Sequence, residues 1–227
     1  MVTFIYLCIL LFIIIFSLYL LYLSYKKCPI KIQKFYIVTL SIIVLRYLSL
    51  LSLCIIQRQG TIYFIKVLTQ LTFIGIPLSI LAAIYIFLRD EKRTFDYNYS
   101  FMIILFLGYF IMNRIYKLEI KVDNIFGFIV VYKEILTPSL IYLIIISSLS
   151  VVTLLFSDKP YSNKLGMRLL LISLIVTVIE FIIFLGGIKI FPYPLIGEVC
   201  ILGCSYKAIN TFKKLILILE YCLLWSC

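Results

Sequence analysis

Histidine is missing from this 227-residue chain. Its absence excludes His-ligated zinc or haem, Ser-His-Asp and Cys-His catalytic centres, and a phospho-accepting histidine. Charge is scarce too, at 14% of residues against about 25% in an ordinary soluble domain. Cysteine occurs seven times (Cys8, Cys28, Cys54, Cys200, Cys204, Cys222 and Cys227), mostly inside apolar stretches and never as CxxC. The odd count, and the lack of a cysteine between Lys117 and Glu134, argue against a disulfide framework. No GxSxG, Walker loop or HExxH occurs, and no paired carboxylates lie within one apolar run. These gaps lead to the expectation of a non-enzyme with no cofactor and no metal site.

What fills the chain is hydrocarbon: 64% of the residues are hydrophobic, and they come in long runs. A helix needs about 20 apolar residues to cross the ~30 Å core of a bilayer. The runs provide for about seven such helices, so the expected fold class is an all-α polytopic membrane protein. The net charge of +11 does not point to nucleic acid, because the cations cluster between apolar runs. There they set topology and attract anionic lipid. The bilayer itself is therefore the first partner expected.

The expected spans are Thr3–Tyr25, Phe35–Ile56, Tyr63–Leu88, Ser100 to Asn113 or Ile115, Thr137–Phe156, Leu169–Leu185 and Leu195–Phe212. The first has no small-residue cleavage site after it and reads as a retained helix, not a signal peptide. With the N-terminus outside and the C-terminus inside, the inner loops and tail, Lys207 counted with them, hold thirteen of the 21 cations. The outer loops, Lys66 counted with them, hold seven, and Arg46 lies near the middle of its span. This is the asymmetry that orients membrane proteins. The expected domains are a membrane unit over residues 1–214 and a short apolar tail over 215–227.

One segment is not built for lipid. From Lys117 to Val122 charged and apolar residues alternate, the pattern of a strand with one wet face. Asp123-Asn124 then offers a turn, and Ile125–Glu134 a returning strand. A short extracytoplasmic β-hairpin is therefore expected between the fourth and fifth spans. Lys117, Glu119, Lys121, Asp123 and Asn124 are its candidate recognition residues.

Ionisable side chains at bilayer depth cost at least ~2.5–3.5 kcal/mol each and ask for a reason. Arg46 and Glu180 fall at comparable depth and are expected to pair, with Glu198 a further candidate in the same outer half. Such a set serves either as an ion path or ligand pocket, or as a buried pair fixing helix packing. Gly75 and Pro77, in the middle of the third span, are the candidate hinge, since proline removes a backbone donor.

Three stretches resemble the seven-helix N-terminal sensor region of bacterial membrane histidine kinases and related signalling proteins. They are Phe64 to Pro77, with its Gln70 and Gly75-Ile-Pro77; the outer loop after Asn113; and Tyr193-Pro194-Leu-Ile-Gly197 through Tyr206-Lys207-Ala208-Ile209-Asn210-Thr211-Phe212-Lys213. Lys207 interrupts the Tyr-Ala-Ile step of that last helix, and no kinase core follows in this sequence. The resemblance implies a receptor half in a bacterial cell membrane, acting through a separate cytoplasmic signalling protein. Two rival expectations are a small permease or membrane subunit of a transporter, and a structural or immunity-type membrane protein.

Overall fold

A computed structural model describes residues 2–55, 59–88, 95–123, 126–189 and 191–225. The chain is mostly helical: α1 (Val2–Lys27), α2 (Ile30–Ile55), α3 (Gln59–Ile65), α4 (Thr72–Leu88), α5 (Asp96–Ile115), α6 (Leu136–Ser157), α7 (Lys164–Leu185) and α8 (Ile196–Trp225). Between α5 and α6 stand two strands, β1 (Leu118–Asp123) and β2 (Gly127–Tyr132). Among the described residues six helical units are long and apolar enough to cross a membrane: α1, α2, the α3–α4 unit, α5, α6 and α7. The seventh expected span coincides with the first part of α8, which continues without a break to Trp225.

The burial pattern is that of a protein solvated by lipid. The outer faces of α5, α6 and α7 present Ile103, Leu107, Phe110, Ile144, Leu155, Ile172 and Ile179, all exposed. Water would not tolerate so broad an apolar surface. The charged residues collect at the two ends and at one interior layer instead, while the serines and threonines buried along the helices mostly bond back to their own helix carbonyls. This is the construction of a helical, membrane-embedded protein.

At the centre lies α4, which is apolar all round and therefore has no face that prefers the outside. It packs against α2, α5, α6, α7 and α8. Gly75 allows this closeness: a Cβ there would sit 2.8 Å from Ile43 Cγ1 of α2. Gly166 of α7 lies against the Phe87 ring in the same way, and Gly197 of α8 against Thr177 of α7. Small residues at helix crossings are how membrane helices gain contact without a hydrophobic driving force.

The third expected span is not one continuous helix. It breaks over Lys66–Leu71, where a single 3₁₀ turn (Leu68–Gln70) separates α3 from α4, and α4 then runs unbroken through Pro77. The bonds Gln70 N–H to Val67 O (3.2 Å) and Leu71 N–H to Leu68 O (3.2 Å) are of the tighter i→i−3 kind. A tightened turn leaves carbonyls outside the regular ladder, and neighbouring side chains take them. Tyr109 O–H of α5 donates to Val67 O at 2.5 Å, and Arg46 Nε of α2 to Thr69 O at 3.3 Å.

The hairpin is antiparallel, pairing Leu118 with Tyr132 through to Asp123 with Gly127. The alternation read from Lys117–Val122 holds as far as Lys121, with Glu119 and Lys121 exposed and Leu118 and Ile120 half-buried, and fails at Val122, which is exposed at the tip of the strand. The turn is tied by Phe126 N–H donating to Asp123 Oδ1 (3.2 Å), and it closes at Gly127 with a φ of +81°, where a side chain would be strained. The hairpin lies over the bundle. Phe126 packs edge-on against Tyr6 of α1 and Gly127 sits against the backbone of Leu53 and Cys54, the last turn of α2. The opposite end of the bundle carries Lys26, Lys31, Lys159 and Lys164, and there Lys27 Nζ donates to Asn210 Oδ1 and so ties α1 to α8.

Candidate functional site

The interior polar layer sits just beneath the hairpin. Arg46 and Tyr47 come from α2, Thr69 and Gln70 from the 3₁₀ turn, Thr72 from the start of α4, and Glu198 from the first turn of α8. Arg46 and Glu198 are 2% and 3% exposed. Arg46 Nη1 and Tyr47 O–H both donate to Glu198 Oε2, while Thr72 Oγ1 donates to Oε1 at 2.8 Å. The Arg46 guanidinium also lies 5.0 Å from the centre of the Tyr47 ring. Glu198 thus receives three donors from two helices, and Arg46 is neutralised and tied to the turn. A buried ion pair is tolerable only when its remaining polar groups are satisfied in this way.

The expected partner of Arg46 was Glu180, and here the geometry differs. Arg46 pairs with Glu198. Glu180 instead accepts from the backbone N–H groups of Leu195 (2.8 Å), Ile196 (2.9 Å) and Gly197 (2.6 Å). It caps α8 from α7. The reason is local: the start of α8 presents orphan N–H groups and the positive end of its dipole, and Glu180 is the carboxylate beside them. Matched depth fixed neither residue's direction around its helix axis.

Above the ion pair, β2 is bonded to the bundle through the backbone of Val130. Val130 N–H donates to Tyr193 Oη (2.9 Å), and Tyr193 O–H donates to Val130 O (3.1 Å), which also lies 3.5 Å from Gln70 Nε2. Burial raises the Tyr193 phenol above the ordinary tyrosine range, so it stays a donor at neutral pH. Beneath β2 a cavity of about 70 Å³ is lined by Arg46, Gln70, Phe73, Tyr132, Phe181 and Tyr193.

Of the hairpin residues singled out, Lys117, Glu119 and Lys121 are exposed, Asp123 holds the turn, and Asn124 lies outside the described residues. Gly75 and Pro77 are buried in the body of α4, below the polar layer. Tyr47, Thr72 and Tyr193 were not legible as site residues, because a tyrosine or threonine in an apolar run carries no pattern of its own. Among the described residues no group of three or more Cys, Asp or Glu side chains is placed to hold a metal. No family model and no curated protein matches this chain.

Proposed function

We propose that this protein is a sensor-like membrane protein without catalysis of its own, its hairpin facing the exterior and its lysine-bearing end facing the cell interior. On this reading α8 is the seventh span, and the output passes to a separate cytoplasmic partner. The observation that carries it is the clamp at Val130. One strand residue is bonded to Tyr193, which leads into α8, and lies against Gln70, which leads into α4. Both helices then meet again at the Arg46–Glu198–Thr72 cluster. A ligand that displaces the hairpin acts at once on the central helix and on α8. It signals to the extent that it binds one arrangement better than the other.

The test is hydrogen exchange on the full chain in lipid nanodiscs, comparing wild type with Tyr193→Phe. The expected result is faster exchange in β2, at Lys66–Leu71 and along α8 as far as Asn210, with α1 and α2 unchanged. Loosening confined to the hairpin would defeat the coupling on which the sensor reading rests.

A further inference from the structure

Helices α5 and α6 both pack on α4 but barely meet each other. The space between them is a furrow of two lobes, about 450 Å³ and 600 Å³, which share Leu81, Phe101, Ser148 and Leu149 at their waist and so run into one another. The floor is the face of α4 that carries Pro77, Leu81 and Leu88. Along α5 the lining runs from Met112 down to Asn98, ~20 Å at about 1.5 Å per residue. That is longer than half of a ~30 Å hydrocarbon core. The lining is almost wholly apolar, and the Ser148 hydroxyl is spent on the Ile145 carbonyl of its own helix (2.8 Å). The site is therefore long, narrow and greasy, the shape of an extended alkyl chain.

Its two ends differ. The hairpin end closes at Tyr109, whose hydroxyl is taken by Val67 O. The other end opens beside Tyr97 and Asn98 at the start of α5, and the Asn98 Nδ2 there is buried without a hydrogen-bond partner. Near this mouth stand two exposed cations. Lys31 is 3.6 Å from Asp96, and Lys159 follows the last turn of α6. An alkyl slot ending at an unpaired amide donor, with Lys159 and the exposed Lys31–Asp96 pair beside it, suits an alkyl chain carrying an anionic, oxygen-rich head.

We propose that the furrow binds the acyl chains of an anionic glycerophospholipid, its ester and phosphate oxygens at Asn98 and the lysines. This lies outside the hairpin site and does not depend on the sensor reading. Gly108 supplies a clean probe, since a Cβ there meets nothing within 4 Å and a larger side chain grows into the slot, not into the protein. The experiment is native mass spectrometry of the full chain, titrated with phosphatidylglycerol or with phosphatidylethanolamine of identical chains. Wild type should hold phosphatidylglycerol more tightly by roughly fivefold for each lysine engaged. Gly108→Phe and Ser148→Phe should lose the adduct, and Gly108→Ala should keep it. As a second readout independent of those variants, Ile104→Trp in a Trp225→Phe background should be quenched more strongly by brominated phosphatidylglycerol than by the brominated zwitterionic lipid. Equal binding of the two lipids, or retention in both phenylalanine variants, overturns the proposal. So does a wild-type dimer that the filled variants abolish, because a second copy would then own the furrow.

Discussion

At the scale of single residues, the ion pair behaves as a unit and its members should not be separable. Arg46→Met leaves Glu198 charged, buried and short of its principal donor, which should cost about 3–5 kcal/mol in denaturant unfolding of the detergent-solubilised protein. Arg46→Met with Glu198→Leu should regain much of that loss, since the desolvation of both charges disappears together. Equal stability of the single variant and wild type would show that the pair does not hold the layer. The sequence made these residues stand out, because a charge inside an apolar run needs an explanation. Which carboxylate answers Arg46 was not legible. Hydropathy reports depth, and two glutamates in neighbouring helices shared the same depth while facing different ways. The donors that complete the site, Tyr47 and Thr72, belong to residue types that lipid-facing helices also carry, so only their azimuth reveals them.

At the scale of elements, the helix in the third span is interrupted at the 3₁₀ turn, while α4 continues through Pro77. Amide exchange in a nanodisc should be faster at Lys66–Leu71 than at Ile74–Leu88, and Pro77→Ala should leave the first segment unchanged. A slowing at Lys66–Leu71 in that variant would return the hinge to Pro77. Sequence reading favoured Pro77 because proline is the strongest local breaker. The actual break contains neither proline nor glycine. Its only trace is a polar cluster, Lys66, Thr69 and Gln70, within an apolar run, and the backbone there is held open by Tyr109 and Arg46 from other helices. Tertiary bonds of that kind leave no local signature. The hairpin was legible for the opposite reason, since a period of two is written in the side chains themselves.

At the scale of the molecule, the layout divides the chain into a hairpin end and a lysine end. A single cysteine at Val122, 71% exposed on β1, in a background lacking the native thiols, should react with an impermeant thiol reagent on intact cells. A cysteine at Lys159 should react only after the membrane is opened. The reverse pattern would invert the protein and remove the hairpin from the exterior. The helical, membrane-embedded class was legible because long apolar runs have few other uses. The order of packing was not: that α4 is the helix others surround follows from Gly75, Ser79, Ala82 and Ala83 lying among larger apolar residues, which reads as a core only once the neighbours are known. One consequence concerns how α8 can move. Its first turn is gripped by Glu180, and Gly197 lies so close to Thr177 that α7 and α8 mesh. Spinning α8 about its own axis would strip those backbone groups of their acceptor and drive the helices apart. What remains is a slide or tilt of α7 and α8 together as one body, past α1, which must carry along or release the Glu198 bonds to Arg46, Tyr47 and Thr72, with the Lys27–Asn210 link as the contact that reports it.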